Sequence, residues 1–245
     1  MTGTAGAALF WGAFSSASLF LGQALAGPMG RSRRQIGLMM GFGAGTMLSA
    51  VAYELIPESS LEHGFSVGLS CLVGALAYYV GDRLVDHRGG GSRQTIRNPD
   101  ESASGAAMFI GALLDGVPEA VILGITVAAG GSINLAFLAA VFVSNIPQGL
   151  AGTTSLQAAG YANRRITVMW GALTVACAIA SVAGFLLSDD LPPAGGVDTE
   201  AFAGGAVLVM LADSMMPEAF EHGGRSVGLL TVLGFLVAGA LTVVQ

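Results

Sequence analysis

Charged residues are scarce in this chain of 245 residues. Only 11% are Asp, Glu, Lys or Arg, whereas 53% are apolar, and the mean hydropathy is +0.70. Such a chain has too few polar side chains to cover a soluble core of its size, so the composition predicts a polytopic membrane protein. We expect one membrane domain over residues 1–245, located in the cell membrane, with the lipid bilayer as its partner and no binding to nucleic acid.

Cysteines and leader signals are lacking as well. The two cysteines, Cys71 and Cys177, lie more than a hundred residues apart, and we interpret both as buried packing residues. The first apolar stretch has neither the basic leader nor the small-residue cleavage pattern of a signal peptide, so we expect it to be retained as a span.

Long apolar stretches dominate what remains. A helical span needs ~20 mostly apolar residues, and eight such stretches lie at about 5–26, 36–57, 65–82, 105–129, 134–158, 166–187, 201–218 and 226–244. The 37 glycines suit an all-α membrane protein because small residues let membrane helices approach closely. Gly-rich outer spans also permit a homodimer. The longest connection, 83–104, is too polar to fold by itself.

The basic residues predict the orientation of these spans. All ten are arginines in alternate loops, at Arg31, Arg33, Arg34, Arg83, Arg88, Arg93, Arg97, Arg164, Arg165 and Arg225. The positive-inside rule assigns these loops to the cytoplasm, loop 83–104 included, and both termini to the extracytoplasmic side. A wrong span count would scramble this alternation, so it favours eight spans.

One sequence pattern occurs twice, with its two copies 160 positions apart. Phe42, Gly45, Leu48, Ala52, Pro57 and Glu58 recur as Phe202, Gly205, Leu208, Ala212, Pro217 and Glu218. Glu62-His63-Gly64 then recurs, one residue out of step, as Glu221-His222-Gly223. These copies fall on spans two and seven, which run in opposite directions if the count is eight, so the repeat is inverted.

A second, weaker sequence repeat relates the two central spans. Val117-Pro118-Glu119 on span four matches Ile146-Pro147-Gln148 on span five. We therefore predict inverted repeats in a 3+2+3 arrangement. Repeats with Pro-interrupted helices are typical of secondary transporters, which build their site near the bilayer midplane.

Several carboxylates stand within spans that contain no Lys, Arg or His. They are Glu54, Asp115, Glu119 and Asp213, while Glu58 and Glu218 follow a proline at span ends. An unpaired charge in hydrocarbon costs ~3 kcal/mol on insertion scales. These acids must therefore be protonated, hydrated in a cavity or balanced by a bound cation.

The spacing on spans four and five favours a cation. Asp115 and Glu119 share one helix face, and Pro118 between them leaves a backbone carbonyl without its helical partner. Pro147 does the same beside Asn145 and Gln148. If the two kinks face each other, they offer carboxylate, amide and carbonyl oxygens to one ion. The alternative is a pair of kinks with hydrogen-bonded polar groups.

Other polar residues are candidates for a secondary site or for the mouths of a pore. Ser144 and Ser214 can add oxygen ligands, although a serine in a span usually bonds its own backbone. His63 and His222 each lie next to a glutamate at opposite ends of the predicted repeat, where they suit metal capture and release; the alternative is a solvated loop histidine. Glu54 and Asp213 could instead bridge neighbouring helices.

These patterns resemble the ZIP (Zrt/Irt-like protein) family of divalent-metal transporters over essentially the whole chain. Where members typically carry His-Asn-x-Pro-Glu-Gly on span four, this chain reads Asp115-Gly116-Val117-Pro118-Glu119-Ala120. Asn145-Ile146-Pro147-Gln148-Gly149 stands for acid-x-Pro-Glu-Gly on span five, and Asp213-Ser214-Met215-Met216-Pro217-Glu218 for His-Glu-x-x-Pro-Glu on span seven. The scaffold matches, and the ligand set matches in part.

The resemblance implies a primary metal site at Asp115, Glu119 and Gln148. It places Gly116, Ser144, Asn145 and Ser214 where a secondary site would be. The family's histidine and bridging glutamate are missing, and Glu54 occupies the position related to Ser214 by the repeat. Replacing imidazole by carboxylate makes the ligand set harder, which suits manganese or iron(II) better than a nitrogen-bearing site does.

The resulting hypothesis is transport of a divalent metal cation, with zinc, manganese, iron, cobalt or cadmium as the transported substrate. No Gly-x-x-x-x-Gly-Lys phosphate-binding sequence occurs, so ion gradients are the expected source of energy. The alternative is a transport-inactive relative that acts as a membrane metal sensor or assembly partner. We do not expect an enzyme, because no span holds a His/Asp or Ser/Lys pair for hydrolysis.

Overall fold

The computed structural model describes residues 4–30, 32–56, 64–85, 105–128, 135–188 and 195–244. Every secondary-structure element within these ranges is helical. The α-helices are α1 (Ala5–Met29), α2 (Arg33–Ala50), α3 (Gly64–Val85), α4 (Gly105–Ala128), α5 (Leu135–Ala158), α6 (Asn163–Leu187), α7 (Gly195–Met210), α8 (Met216–Gly223) and α9 (Val227–Val244). Glu58, His63 and most of the predicted loop 83–104 lie outside the described residues.

Two π-helical segments extend the helices of the sequence repeat. Val51–Leu55 continues α2, and Leu211–Met215 joins α7 to α8. In the first, the Ile56 N–H donates to the Val51 carbonyl at 2.9 Å; in the second, the Met216 N–H donates to the Leu211 carbonyl. Both bonds span five residues, and the two segments begin 160 positions apart, the spacing of the sequence repeat.

Within the described ranges, seven helical stretches are long and apolar enough to cross a membrane. The last one, Asp198–Val244, has 47 residues and contains both the seventh and the eighth predicted span. Gly224 interrupts it between α8 and α9 with φ +65° and ψ −158°, a conformation that glycine adopts without a steric penalty.

Burial separates central from peripheral helices. In the most apolar 18-residue window of each helix, 67% of the α2 window and 61% of the α5 window is buried, against 17% for α3. The outer helices instead present large apolar side chains that are more than half exposed, such as Leu72, Leu76, Ile179, Leu229 and Leu236. This exterior suits hydrocarbon, as expected for a helical membrane protein.

Helix pairing follows a regular pattern. The most extensive contacts join α1 with α5, α4 with α6, α2 with α9 and α3 with α7. Additional contacts join α1 with α6 and α2 with α8. The helices that bear the sequence repeat, α2 and α7, thus each pack along a separate outer helix.

Glycines set the distance within the pairs that involve α2 and α7. A Cβ atom added at any of four glycines would meet a backbone carbonyl of the facing helix: Gly45 against Thr231, Gly234 against Phe42, Gly205 against Cys71 and Gly74 against Phe202. Every residue of the first two contacts lies 160 positions from its counterpart in the other two. The same backbone contact is therefore made twice.

The remaining two pairs are built in the same way. The contacts are Gly22 against Ile146, Gly149 against Leu19, Gly124 against Ser181 and Gly184 against Val121. They join α1 to α5 and α4 to α6, and no larger residue fits at these glycines without moving a backbone. Small residues at membrane helix interfaces serve this purpose generally.

We expect Gly205→Ala to lower the stability of the fold. The new methyl group would meet the Cys71 carbonyl of α3, and overpacking of this kind costs about 1–3 kcal/mol. Thermal unfolding in detergent measures the effect. Gly171→Ala is the matched control, because an added Cβ on that helical glycine has nothing within 4 Å. Equal melting temperatures for the two variants would contradict the proposed role of the contact.

Candidate metal site

Asp115 and Glu119 form a buried carboxylate pair on α4. Their side chains are 4% and 1% exposed, and the two residues interact electrostatically. Pro118 lies inside the helix between them and cannot donate an amide hydrogen to the preceding turn. The structure therefore brings together the two acids that the sequence placed on one helix face.

A tyrosine holds the first of these acids. The Tyr78 hydroxyl of α3 donates a hydrogen bond to Asp115 Oδ1 at 2.6 Å. Hydrogen bonds to a charged acceptor are short and stronger than neutral ones. Asp115 is thus fixed between α3 and α4. Sequence reasoning missed Tyr78, since a tyrosine in an outer span carries no signal of this contact.

The environment of the Glu119 side chain differs from that of Asp115. Neither of its carboxylate oxygens has a hydrogen-bond partner among the described residues. Burial of a polar group without a partner costs free energy, and burial of an unpaired charge costs far more. A proton or a bound cation would remove that cost, and the second carboxylate beside it favours either of them over a bare negative charge.

The polar groups of α5 point in several directions. The Asn145 amide donates to the Ser15 carbonyl of α1 at 3.3 Å, and the Ser144 hydroxyl donates to the Val141 carbonyl at 2.9 Å. Gln148 is half-buried, and its Nε2 has no hydrogen-bond partner within the described part of the chain. The unpartnered atom of Gln148 is thus a donor, whereas an amide binds a cation through its oxygen.

Helix α1 accounts for this arrangement. It contacts both α4 and α5 more extensively than those two helices contact each other. The sequence predicted that the two proline kinks would face each other and combine their polar groups. Asn145 also contacts α1, because its amide nitrogen donates to the Ser15 carbonyl, and this bond does not use the Asn145 Oδ1 oxygen.

Glu54 and Asp213 occupy the two π-helical segments and have different surroundings. The Thr242 hydroxyl of α9 donates to Glu54 Oε1 at 2.7 Å, and Glu54 interacts electrostatically with Glu200 of α7. Asp213 is exposed. The Ser214 hydroxyl donates to the Met210 carbonyl at 2.9 Å, the backbone bond considered for it above. The Thr242 bond links Glu54 to α9, a contact that is compatible with either a ligand or a helix-bridging role.

A second group of candidate ligands lies on α8. Ligand atoms of Glu218, Glu221 and His222 all lie within 4.8 Å of one another, the one such group of three or more His, Cys, Asp or Glu side chains found in the described ranges. His222 Nδ1 lies 3.1 Å from the Glu218 carbonyl oxygen and 3.6 Å from its Oε1. Sequence reasoning selected Glu218 and His222 and left out Glu221.

Cys177 of α6 lies beside the carboxylate pair and was also missed. Its side chain is 1% exposed and interacts electrostatically with Glu119. The Ser16 hydroxyl of α1 lies near the thiol and donates to the Gly12 carbonyl at 3.0 Å. Burial agrees with the predicted packing role, but these contacts also place the sulfur at the candidate site.

Seven apolar membrane-length helices around a core with buried carboxylates define a multi-pass membrane protein. A curated Arabidopsis thaliana protein named "Putative zinc transporter" is 29% identical to the chain over 200 residues. The match covers 78% of the chain and 31% of the relative, so the chain spans about a third of that relative's length. No family model matches the chain.

We expect the Tyr78–Asp115 hydrogen bond to contribute measurably to stability. Tyr78→Phe removes the donor and Asp115→Asn weakens the acceptor, so a double-mutant cycle should give a coupling free energy of about 1 kcal/mol or more. Unfolding of the four proteins in detergent supplies the numbers. Additive effects of the two substitutions would show that the hydrogen bond is energetically irrelevant. Tyr79→Phe, on the adjacent position of α3, is the control.

Proposed function

We propose that this protein moves a divalent metal cation across the membrane, with Asp115 and Glu119 in its transport site. The observation that carries the proposal is the Glu119 carboxylate, which is 1% exposed and has no hydrogen-bond partner among the described residues. A purely structural acid would have been given a donor, as Asp115 has been. A site that is left unsatisfied until its cargo arrives accounts for both carboxylates.

The name of the Arabidopsis relative supports a metal as cargo and puts zinc among the candidates. Manganese, iron(II), cobalt and cadmium remain alternatives because the carboxylate oxygens also suit harder cations. The motif resemblance on spans four, five and seven supports membership of the ZIP family, which we include in the proposal. Asp115 and Glu119 stand at the family's ligand positions, and the resemblance adds the Gln148 side chain.

Secondary transport with inverted repeats completes the proposal. The two π-helical segments and the paired glycine contacts recur at the same spacing of 160 positions, which supports two structurally equivalent halves. A helix of 47 residues would be about 70 Å long, more than twice the ~30 Å of hydrocarbon. The break at Gly224 in Asp198–Val244 therefore supports two crossings there and eight in total, with both termini extracytoplasmic.

We propose a transporter rather than an enzyme. The chain contains no lysine, which removes a Ser/Lys pair, and its intramembrane acids have no histidine beside them in sequence. An intramembrane hydrolase would need such a base to activate its nucleophile. A metal sensor remains the alternative outcome of the flux measurement below.

The test is metal uptake by proteoliposomes that contain the purified protein. Zinc, manganese, iron(II), cobalt and cadmium are compared, and Glu119→Gln should reduce the flux of the transported metals by at least about tenfold, because it removes an anionic ligand. Asp100→Asn, in the polar connection 83–104, is the control for charge removal. Metal binding without flux of any metal would reject transport and favour the sensor.

We also propose that Glu218, Glu221 and His222 hold the metal transiently at the end of the α8 helix. Two carboxylates and an imidazole within 4.8 Å suit zinc and similar cations. Gly37 of α2 fixes the position of this group, since an added Cβ there would lie 2.8 Å from the Ala219 carbonyl. The exposed Glu221 leaves the group open to solvent.

Zinc titration by calorimetry in detergent tests this group. The double variant Glu221→Gln with His222→Ala should lose one class of binding site and retain the class that Glu119→Gln abolishes. An unchanged stoichiometry and affinity in the double variant would exclude the α8 group as a metal site. The two sets of variants thus separate the peripheral group from the transport site.

A further inference from the structure

The thiol of Cys177 faces the helix segment that bears the carboxylate pair. A Cβ atom added at Gly116 would lie 3.1 Å from Cys177 Sγ. Gly116 directly follows Asp115 and precedes Glu119 by three positions, which places it on the Glu119 face of α4. The absence of a side chain at Gly116 therefore lets the sulfur approach the backbone between the two acids.

The sulfur lies among polar groups as well as packing partners. It lies near the Ser16 hydroxyl and interacts electrostatically with Glu119. At 1% exposure the thiol is shielded from water. Three helices thus converge on one point: α1 through Ser16, α4 through Gly116 and Glu119, and α6 through Cys177.

The free carboxylate of Glu119 is the second, independent observation. It is 99% buried, its two oxygens have no hydrogen-bond partner among the described residues, and its electrostatic partners are Asp115 and Cys177. Hydrophobic packing alone gives no reason for a bare carboxylate to stand beside a thiol. A cation that binds oxygen and sulfur together would satisfy both groups.

We propose that Cys177 is a thiolate ligand of the metal that binds Asp115 and Glu119. The inference rests on the proposed transport site and adds a residue that the motif resemblance does not include. On binding, the S–H bond breaks, its electron pair coordinates the metal, and one proton is released to solvent. The Ser16 hydroxyl, which donates to the Gly12 carbonyl at 3.0 Å, would stabilise the thiolate by turning to donate to it.

The site closes by movement of Glu119. The ligand atoms of Asp115, Glu119 and Cys177 do not form a group within 4.8 Å in the structure, so a side chain must rotate when the metal binds. Glu119 can rotate without breaking a hydrogen bond, whereas Asp115 is tied to Tyr78. The unsatisfied acid is therefore the adjustable ligand and the tethered acid the fixed one.

A sulfur ligand changes the expected selectivity. Thiolates favour zinc, cadmium and cobalt, whereas carboxylate and carbonyl oxygens suit manganese, magnesium and calcium. The ligand set read from the sequence alone was hard because carboxylate replaces the family's imidazole, and it contained no sulfur. With Cys177 included, the site should prefer zinc and cadmium to manganese.

Cobalt spectroscopy of the purified protein in detergent tests the ligand directly. Co²⁺ bound to a thiolate gives an intense sulfur-to-metal charge-transfer absorption that oxygen ligands do not give. The band should appear in the natural protein and in Cys71→Ser, which retains Cys177 as its single cysteine. It should disappear in Cys177→Ser and in Cys177→Ala, the latter chosen because it fits an apolar pocket without adding a donor.

Competition titrations supply the second readout. Cadmium and zinc affinity should fall at least about tenfold in Cys177→Ala, while manganese affinity should change much less. No band in the natural protein, a band that survives in Cys177→Ala, or equal losses for cadmium and manganese would overturn the proposal.

The outcomes also separate the thiol from the transport proposal. Flux that depends on Glu119 but shows no Cys177-dependent band or selectivity would leave transport standing and reject the thiolate. A Cys177-dependent band in a protein that moves no metal would support the thiolate ligand and reject transport.

Discussion

Backbone-to-backbone contact at glycines is the constraint on which the rest of the described structure depends. In hydrocarbon there is no gain from hiding apolar side chains, so helices associate through close packing. The eight facing glycines let carbonyl groups of neighbouring helices approach a bare Cα. Once these distances are fixed, the positions of Asp115, Glu119 and Cys177 follow, because the helices that carry them have little freedom to slide or rotate.

The polar interior is a consequence of the same close packing. Helix α1 approaches α5 at Gly22 and Gly149, and this brings its serine-rich segment between the two proline-kinked helices. The Ser15 carbonyl then accepts from Asn145, and Ser16 lies near Cys177. One short stretch of an outwardly apolar helix thus decides which polar groups of the core are occupied and which, like Glu119, stay free.

The sequence alone predicted what is periodic or local. The acid pair on α4 follows from the spacing of four residues between Asp115 and Glu119. The two π-helical segments lie within the two copies of the repeated sequence. Contacts between distant positions could not be predicted: Tyr78 with Asp115, Thr242 with Glu54, and Cys177 with Gly116. Each depends on helix rotation and depth, which apolar patterning leaves undetermined because nearly every face of these helices is apolar.

The two π-helical segments have a mechanical consequence. Each holds one residue more per hydrogen-bonded turn than an α-helix does. If that surplus residue migrates along the helix by one turn, the stretch it crosses rotates by about 100° about its axis, the angle between successive α-helical residues. Glu54 and the exposed Asp213 belong to these π-helical segments. A small change of hydrogen-bond partners thus turns a carboxylate from one side of its helix to another.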